Sequence, residues 1–108
     1  MSLNEIGSAQ RPYFADLDQC VNVQMLCLAE EAGEAVQAYR QWAGLARRHD
    51  ATRENVGEEL ADVVIVAAHA AHLLAIDLDD AVHRKLLKIE SRRMLQEPRT
   101  EVDPLDWQ

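Results

Sequence analysis

Five carboxylates in this chain are spaced so that they could act together. Glu30, Glu31 and Glu34 fall inside Leu-Cys-Leu-Ala-Glu-Glu-Ala-Gly-Glu-Ala-Val, residues 26–36, a segment otherwise fit for a helix core. Glu59 and Asp62 stand at the head of a second apolar run. Residues three or four apart share a helix face, so Glu31 pairs with Glu34 and Glu59 with Asp62. Acids at this spacing most often mark a solvated face, and Glu58 fits that bland reading. The apolar flanks of the other four argue against it for them. Four converging carboxylates repel one another unless a hard divalent cation lies among them. All-oxygen ligation favours Mg²⁺, with Mn²⁺ as a substitute. Glu30 is ambiguous between an acid at the rim of such a site and a surface residue.

Two helices must position these acids. Val21, Met25, Leu28, Ala32, Ala35 and Tyr39 recur at spacings of three and four, which predicts a helix from about Asp18 to Ala43. Asp18 is the expected N-cap and Gly44 suits the C-terminal end. Gly33 is a poor helix residue and implies a close neighbour at that point. Thr52 with Asn55 is an incomplete capping signal for a second helix, from about Arg53 to Ala75. The short connection between the two favours an antiparallel pair, which would bring the carboxylates face to face. Asp77 reads as the N-cap of a third helix, with Asp79 and Asp80 in its first turn and Arg92 and Arg93 near its end at Leu95 or Gln96. Pro98 ends it. A short helix before Pro12 is possible. The tail 97–108 has no period and reads as irregular, with Trp107 a candidate anchor. The expected organisation is an N-terminal segment 1–17, one helical domain 18–96 and this tail, all-α throughout.

Residues 60–76 are apolar except for Asp62, His69 and His72. A helix of this kind has no solvent face and must be surrounded. Two other helices of one short chain cannot surround it, so an antiparallel helical bundle completed by dimerisation is expected. A membrane span is a poor fit, since an acid and two histidines interrupt the run. His69 and His72 read as buried or interface residues, and His49 and His83 as surface ones. A di-iron site needs Glu-x-x-His, which does not occur in the sequence.

The net charge of −8 and isoelectric point near 4.8 argue against a nucleic-acid polymer or an anionic membrane as partner. Cys20 and Cys27 are seven residues apart, roughly 10 Å along a helix, beyond disulfide reach. Reduced thiols and a start, Met-Ser-Leu-Asn-Glu-Ile, without signal-peptide character suggest a cytoplasmic location.

Glu-Glu-x-x-Glu at 30–34, followed after 24 residues by Glu-x-x-Asp at 59–62, resembles the MazG-like all-α nucleoside triphosphate pyrophosphohydrolases. The likeness takes in Ala-Tyr-Arg-Gln-Trp-Ala-Gly at 38–44, Ile-Asp-Leu-Asp-Asp-Ala-Val at 76–82 and Lys-Leu-Leu-Lys-Ile-Glu-Ser-Arg-Arg at 85–93. It covers roughly residues 18–95. The resemblance implies hydrolysis of a nucleoside triphosphate to the monophosphate and pyrophosphate with Mg²⁺ held by Glu31, Glu34, Glu59 and Asp62. It also implies a homodimer, or a homotetramer built from dimers. The family's phosphate-contacting lysine corresponds to Lys85, but its asparagine four residues on is Ile89 here. Lys88, Arg92 or Arg93 would have to substitute; the bland reading of these cations is favourable placement at a helix C-terminus. Glu30 is a candidate general base. Trp42 and Tyr39, or Asn22 and Gln24, are candidates for base recognition, with packing the bland alternative for Trp42. Two other readings stand beside this one: a phosphoribosyl-ATP pyrophosphatase of the same superfamily, and a non-catalytic helical bundle that binds a partner.

Overall fold

A computed structural model describes residues 1–95 of the chain, and the expectations for 97–108 and for a helix end at Gln96 lie outside the described residues. Four helices follow one another: α1 Leu3–Ser8, α2 Leu17–Trp42, α3 Arg53–Leu73 and α4 Leu78–Leu95. The all-α expectation is met, and the short helix before Pro12 is α1.

Local chemistry sets the boundaries. The N-cap of α2 is Asp16 rather than Asp18, its side chain accepting from the Gln19 amide at 3.0 Å. Gly44 ends α2 at φ 75°, and the Leu45 amide reaches back to the Arg40 carbonyl at 2.8 Å. Thr52 and Asn55 form a complete capping box, because the Asn55 Oδ1 accepts from the Thr52 amide as a Glu side chain would. At the other end of α3, Ala75 takes the same left-handed turn at φ 54° without glycine's freedom.

A helix of six residues is too short to hold itself together in water. α1 is held by capping of all three first-turn amides. Glu5 donates to Ser2 Oγ, and the Leu3 and Asn4 amides donate to the two oxygens of Asp79 at 3.0 Å each. Asn4 returns the favour. Its side chain accepts from the Leu78 amide and donates to Asp77, while Asp77 caps the Asp80 amide, as the sequence predicts. The N-termini of α1 and α4 therefore cap each other. The Asn4 bond, the Asp80 amide and the Arg84 charge lower the Asp77 pKa below its ordinary value, in that order.

The core is built from small residues. Ala35 and Ala38 of α2 and Ala68, Ala70 and Ala71 of α3 are buried, with Cys20 and Gln24. α2 packs against α3, and α1 packs against α3 and touches α4. The Gln24 side chain donates to the Val66 carbonyl near the end of α3, while Glu34 lies by Glu59 near its start, so the two helices run antiparallel. Gly7 of α1 lies so close to α3 that a Cβ there would sit 2.2 Å from the Ala68 carbonyl oxygen. The Gly7 carbonyl is 3.3 Å from Nδ1 of His69, which accounts for a histidine only 3% exposed.

Three expectations are not met within one chain. Nothing within 4 Å faces Gly33, so the chain itself supplies no close neighbour there. His72 is exposed, stacked on His69 with centroids 6.5 Å apart. The run 60–76 is only partly covered: residues 68–71 are buried, whereas Leu60, Val64, Leu74 and Ile76 are about half exposed. The reason is the direction of α4, which bends 112° from α3 and buries none of its own residues. No single helix among the described residues is long and apolar enough to cross a membrane. Both cysteines are free. Cys20 is buried, donating to the Phe14 carbonyl, and Cys27 is half-buried.

Candidate active site

The antiparallel α2–α3 pair brings three of the predicted acids together. Glu31 and Glu34, one turn apart on α2, meet Glu59 of α3. One carboxylate oxygen from each lies within 4.8 Å of the others, and all three residues are half-buried. Oε2 of Glu31 and Oε2 of Glu59 are shut off from water yet have no hydrogen-bond partner. Buried polar atoms are almost always satisfied, so two orphaned oxygens in one carboxylate cluster are unusual.

The electrostatics agree with the geometry. The pKa of Glu31 is raised, first by burial, then by the charges of Glu34 and Asp62 and by closeness to the Glu34 carboxyl. The Glu59 pKa is raised by burial, then by Glu34 and Asp62, with a smaller push from Glu58. Like charges brought together disfavour ionisation, and a divalent cation would reverse that effect. The donor set is hard oxygen only, which suits Mg²⁺ or Mn²⁺ better than a soft metal.

The other candidates stand apart. Asp62 is exposed and outside the close triple, although its charge acts on both Glu31 and Glu59. The expected buried setting for Asp62 is absent within one chain, because the apolar face beside it is uncovered. Glu30 and Glu58 are exposed. Lys85, Lys88 and Arg92 are exposed on α4. Between Asp62 and the end of α3 lie eleven residues, roughly 16 Å of helix, before α4 turns away. Trp42 is half exposed at the end of α2, its ring centroid 6.2 Å from that of Tyr39. Of the residues considered for base recognition, Gln24 is committed to Val66, and Asn22 lines a separate pocket with Leu17 and Leu73 at the opposite end of α2.

An open cleft of about 440 Å³ runs from the acids toward the α2–α3 connection. Glu34 and Glu59 form its inner wall, and Gln37, Gln41, Arg48, Asp50 and Asn55 line the rest. Sequence reasoning missed these five. The signal was available on the helices: Gln37 and Gln41 continue the Glu34 face at three and seven residues, and Asn55 lies one turn before Glu59.

A family model, the MazG nucleotide pyrophosphohydrolase domain, matches residues 19–94. The chain belongs to this family. The match takes in α3 and nearly all of α2 and α4, so both halves of the carboxylate cluster fall inside it. No curated protein and no solved structure matches the chain significantly.

Proposed function

We propose that this MazG domain hydrolyses a nucleoside triphosphate to the nucleoside monophosphate and pyrophosphate, with Mg²⁺ held by Glu31, Glu34, Glu59 and Asp62. The observation that carries the reading is the pair of orphaned oxygens, Glu31 Oε2 and Glu59 Oε2, shielded from water on two carboxylates that cluster from two helices. Such a pair is costly as it stands and favourable around a cation.

Bound there, magnesium would offset the phosphate charge and lower the pKa of a coordinated water. The chain's own residues fix the geometry. Glu34 sits between the two helices' contributions and ties them into one cluster. Asp62, one turn beyond Glu59, adds a fourth carboxylate at the exposed side. One water is consumed, the α–β anhydride bond breaks, and the released proton needs an acceptor. Glu30, exposed and next to Glu31 in the sequence, is the candidate for that role. Lys85, Lys88 and Arg92 would meet the phosphates from a partner subunit, since α4 of the same chain leads away from its own acids.

A homodimer supports that arrangement. Leu86 and Leu87 of α4 are 58% and 56% exposed, and the Cα radius of gyration is 17.5 Å, where a compact chain of this length would have about 13 Å. An uncovered apolar face of this kind is suited to a second copy.

Pyrophosphate release from a panel of ribo- and deoxyribonucleoside triphosphates, with phosphoribosyl-ATP beside them, tests the activity. Turnover is expected with Mg²⁺ and not with EDTA. Glu59→Gln and Asp62→Asn should each lose at least a hundredfold in kcat/KM, and Glu30→Gln should lose less. Full activity in Glu59→Gln would refute the metal-site assignment. A melting temperature that Mg²⁺ leaves unchanged would favour the non-catalytic reading.

A further inference from the structure

We propose that the nucleoside of the substrate is read in the cleft beyond the acids, with Gln37, Gln41 and Asn55 as the residues that determine base preference. This inference rests on the hydrolase reading above and deepens it.

Three observations point the same way. First, the cleft shares Glu34 and Glu59 with the carboxylate cluster, so a molecule whose phosphates lie on the acids has its other end here. Its volume of about 440 Å³ falls in the usual range for small-molecule sites. Second, beyond the two glutamates the charges in the lining sum to zero: one cation, Arg48, and one acid, Asp50. Arg48 is the cation in the cleft, and its guanidinium lies 3.1 Å from Asp50. A polyanion meets a lone cation that already has an acid beside it, whereas a neutral base or sugar finds three side-chain amides. The phosphates therefore belong on the acid side and the nucleoside on the amide side.

Third, the donors are partly fixed. Both hydrogen bonds to Asn55 Oδ1 come from Thr52, from its amide at 2.8 Å and its hydroxyl at 3.0 Å. The capping box locks the Asn55 side chain and leaves its Nδ2 group as a pure donor. A carbonyl oxygen on the base edge is the matching partner. Gln37 and Gln41, one turn apart on α2, can present either sense of hydrogen bond. The candidates nearer the start of α2 are excluded by position, and Trp42 does not line the cleft.

The test uses the full-length protein and the triphosphate panel. Gln41→Leu keeps helix propensity and removes the hydrogen-bonding group. Asn55→Asp keeps the capping oxygen and replaces the donor with an acceptor. For the preferred base, each variant should raise KM about tenfold, with a smaller change in kcat, and should compress the ranking of the four bases. The Mg²⁺-induced rise in melting temperature should survive in Gln41→Leu, which shows that the acid cluster is intact. Unchanged KM and unchanged ranking in both variants, with wild-type turnover present, would overturn the cleft assignment and leave the hydrolase reading standing. Absence of turnover with every triphosphate would overturn both.

Discussion

Gly7 and Gly33 invite the same substitution with opposite results. In Gly7→Ala the new Cβ meets the Ala68 carbonyl oxygen at 2.2 Å and the carbonyl carbon at 2.7 Å. Both are backbone atoms, so no side chain can swing aside. Ordinary contact begins near 3.4 Å, and α1 must therefore retreat by about 1.2 Å. Overpacking of this kind costs about 1–3 kcal/mol. Retreat also stretches the His69–Gly7 hydrogen bond, about 1 kcal/mol more. Alanine's helix propensity returns about 1 kcal/mol. The net loss is about 2 kcal/mol, and for a domain of this size roughly 8–16 °C in Tm. In Gly33→Ala the Cβ meets nothing within 4 Å, so the propensity gain stands alone: about 1 kcal/mol, or roughly 4–8 °C upward. Thermal unfolding followed by circular dichroism at one protein concentration measures both. A Gly7→Ala variant melting within 2 °C of wild type would refute the packing argument. A fall in Gly33→Ala would mean that a second copy packs on that face of α2.

The raised pKa values of Glu31 and Glu59 set a pH dependence. A carboxyl that holds its proton more tightly folded than unfolded adds nothing below the unfolded value of 4.5 and destabilises increasingly as pH rises through the folded pKa. Without metal, wild type should lose melting temperature relative to Glu31→Gln as pH rises above 4.5, and Mg²⁺ should cancel the difference at neutral pH; parallel curves would contradict this. Asp79→Ala removes both acceptors for the Leu3 and Asn4 amides and should cost about 1–2 kcal/mol in urea unfolding, with Asp79→Asn recovering part of it.

How much the sequence discloses depends on the range of the interaction. The carboxylate triple is legible because helical spacing alone puts Glu31 and Glu34 on one face, and a short connection folds Glu59 back onto them. The N-cap of α2 is one of two aspartates in Asp16-Leu17-Asp18, and only the path of the incoming chain selects Asp16. Gly33 looks like a contact point by residue type, but the close approach is made at Gly7, in a segment with little periodic signal. The exposure of Asp62 and the direction of α4 were not legible, because helical spacing fixes which residues share a face but neither what covers that face nor the angle at which the next helix leaves. Gln37 and Gln41 were passed over since neutral amides carry no conspicuous chemistry until a cleft puts them opposite Asn55.

The reciprocal caps of α1 and α4 join residues more than seventy positions apart. Neither helix start can open alone without stripping partners from the other. The beginning of the chain should therefore not fray as a free end does. Amides of Leu3, Asn4 and Leu78 should exchange with solvent as one cooperative unit, at a rate set by α4 as much as by α1. Any event that reorients α4, including its cover by another subunit, would be felt at the first turn of the polypeptide.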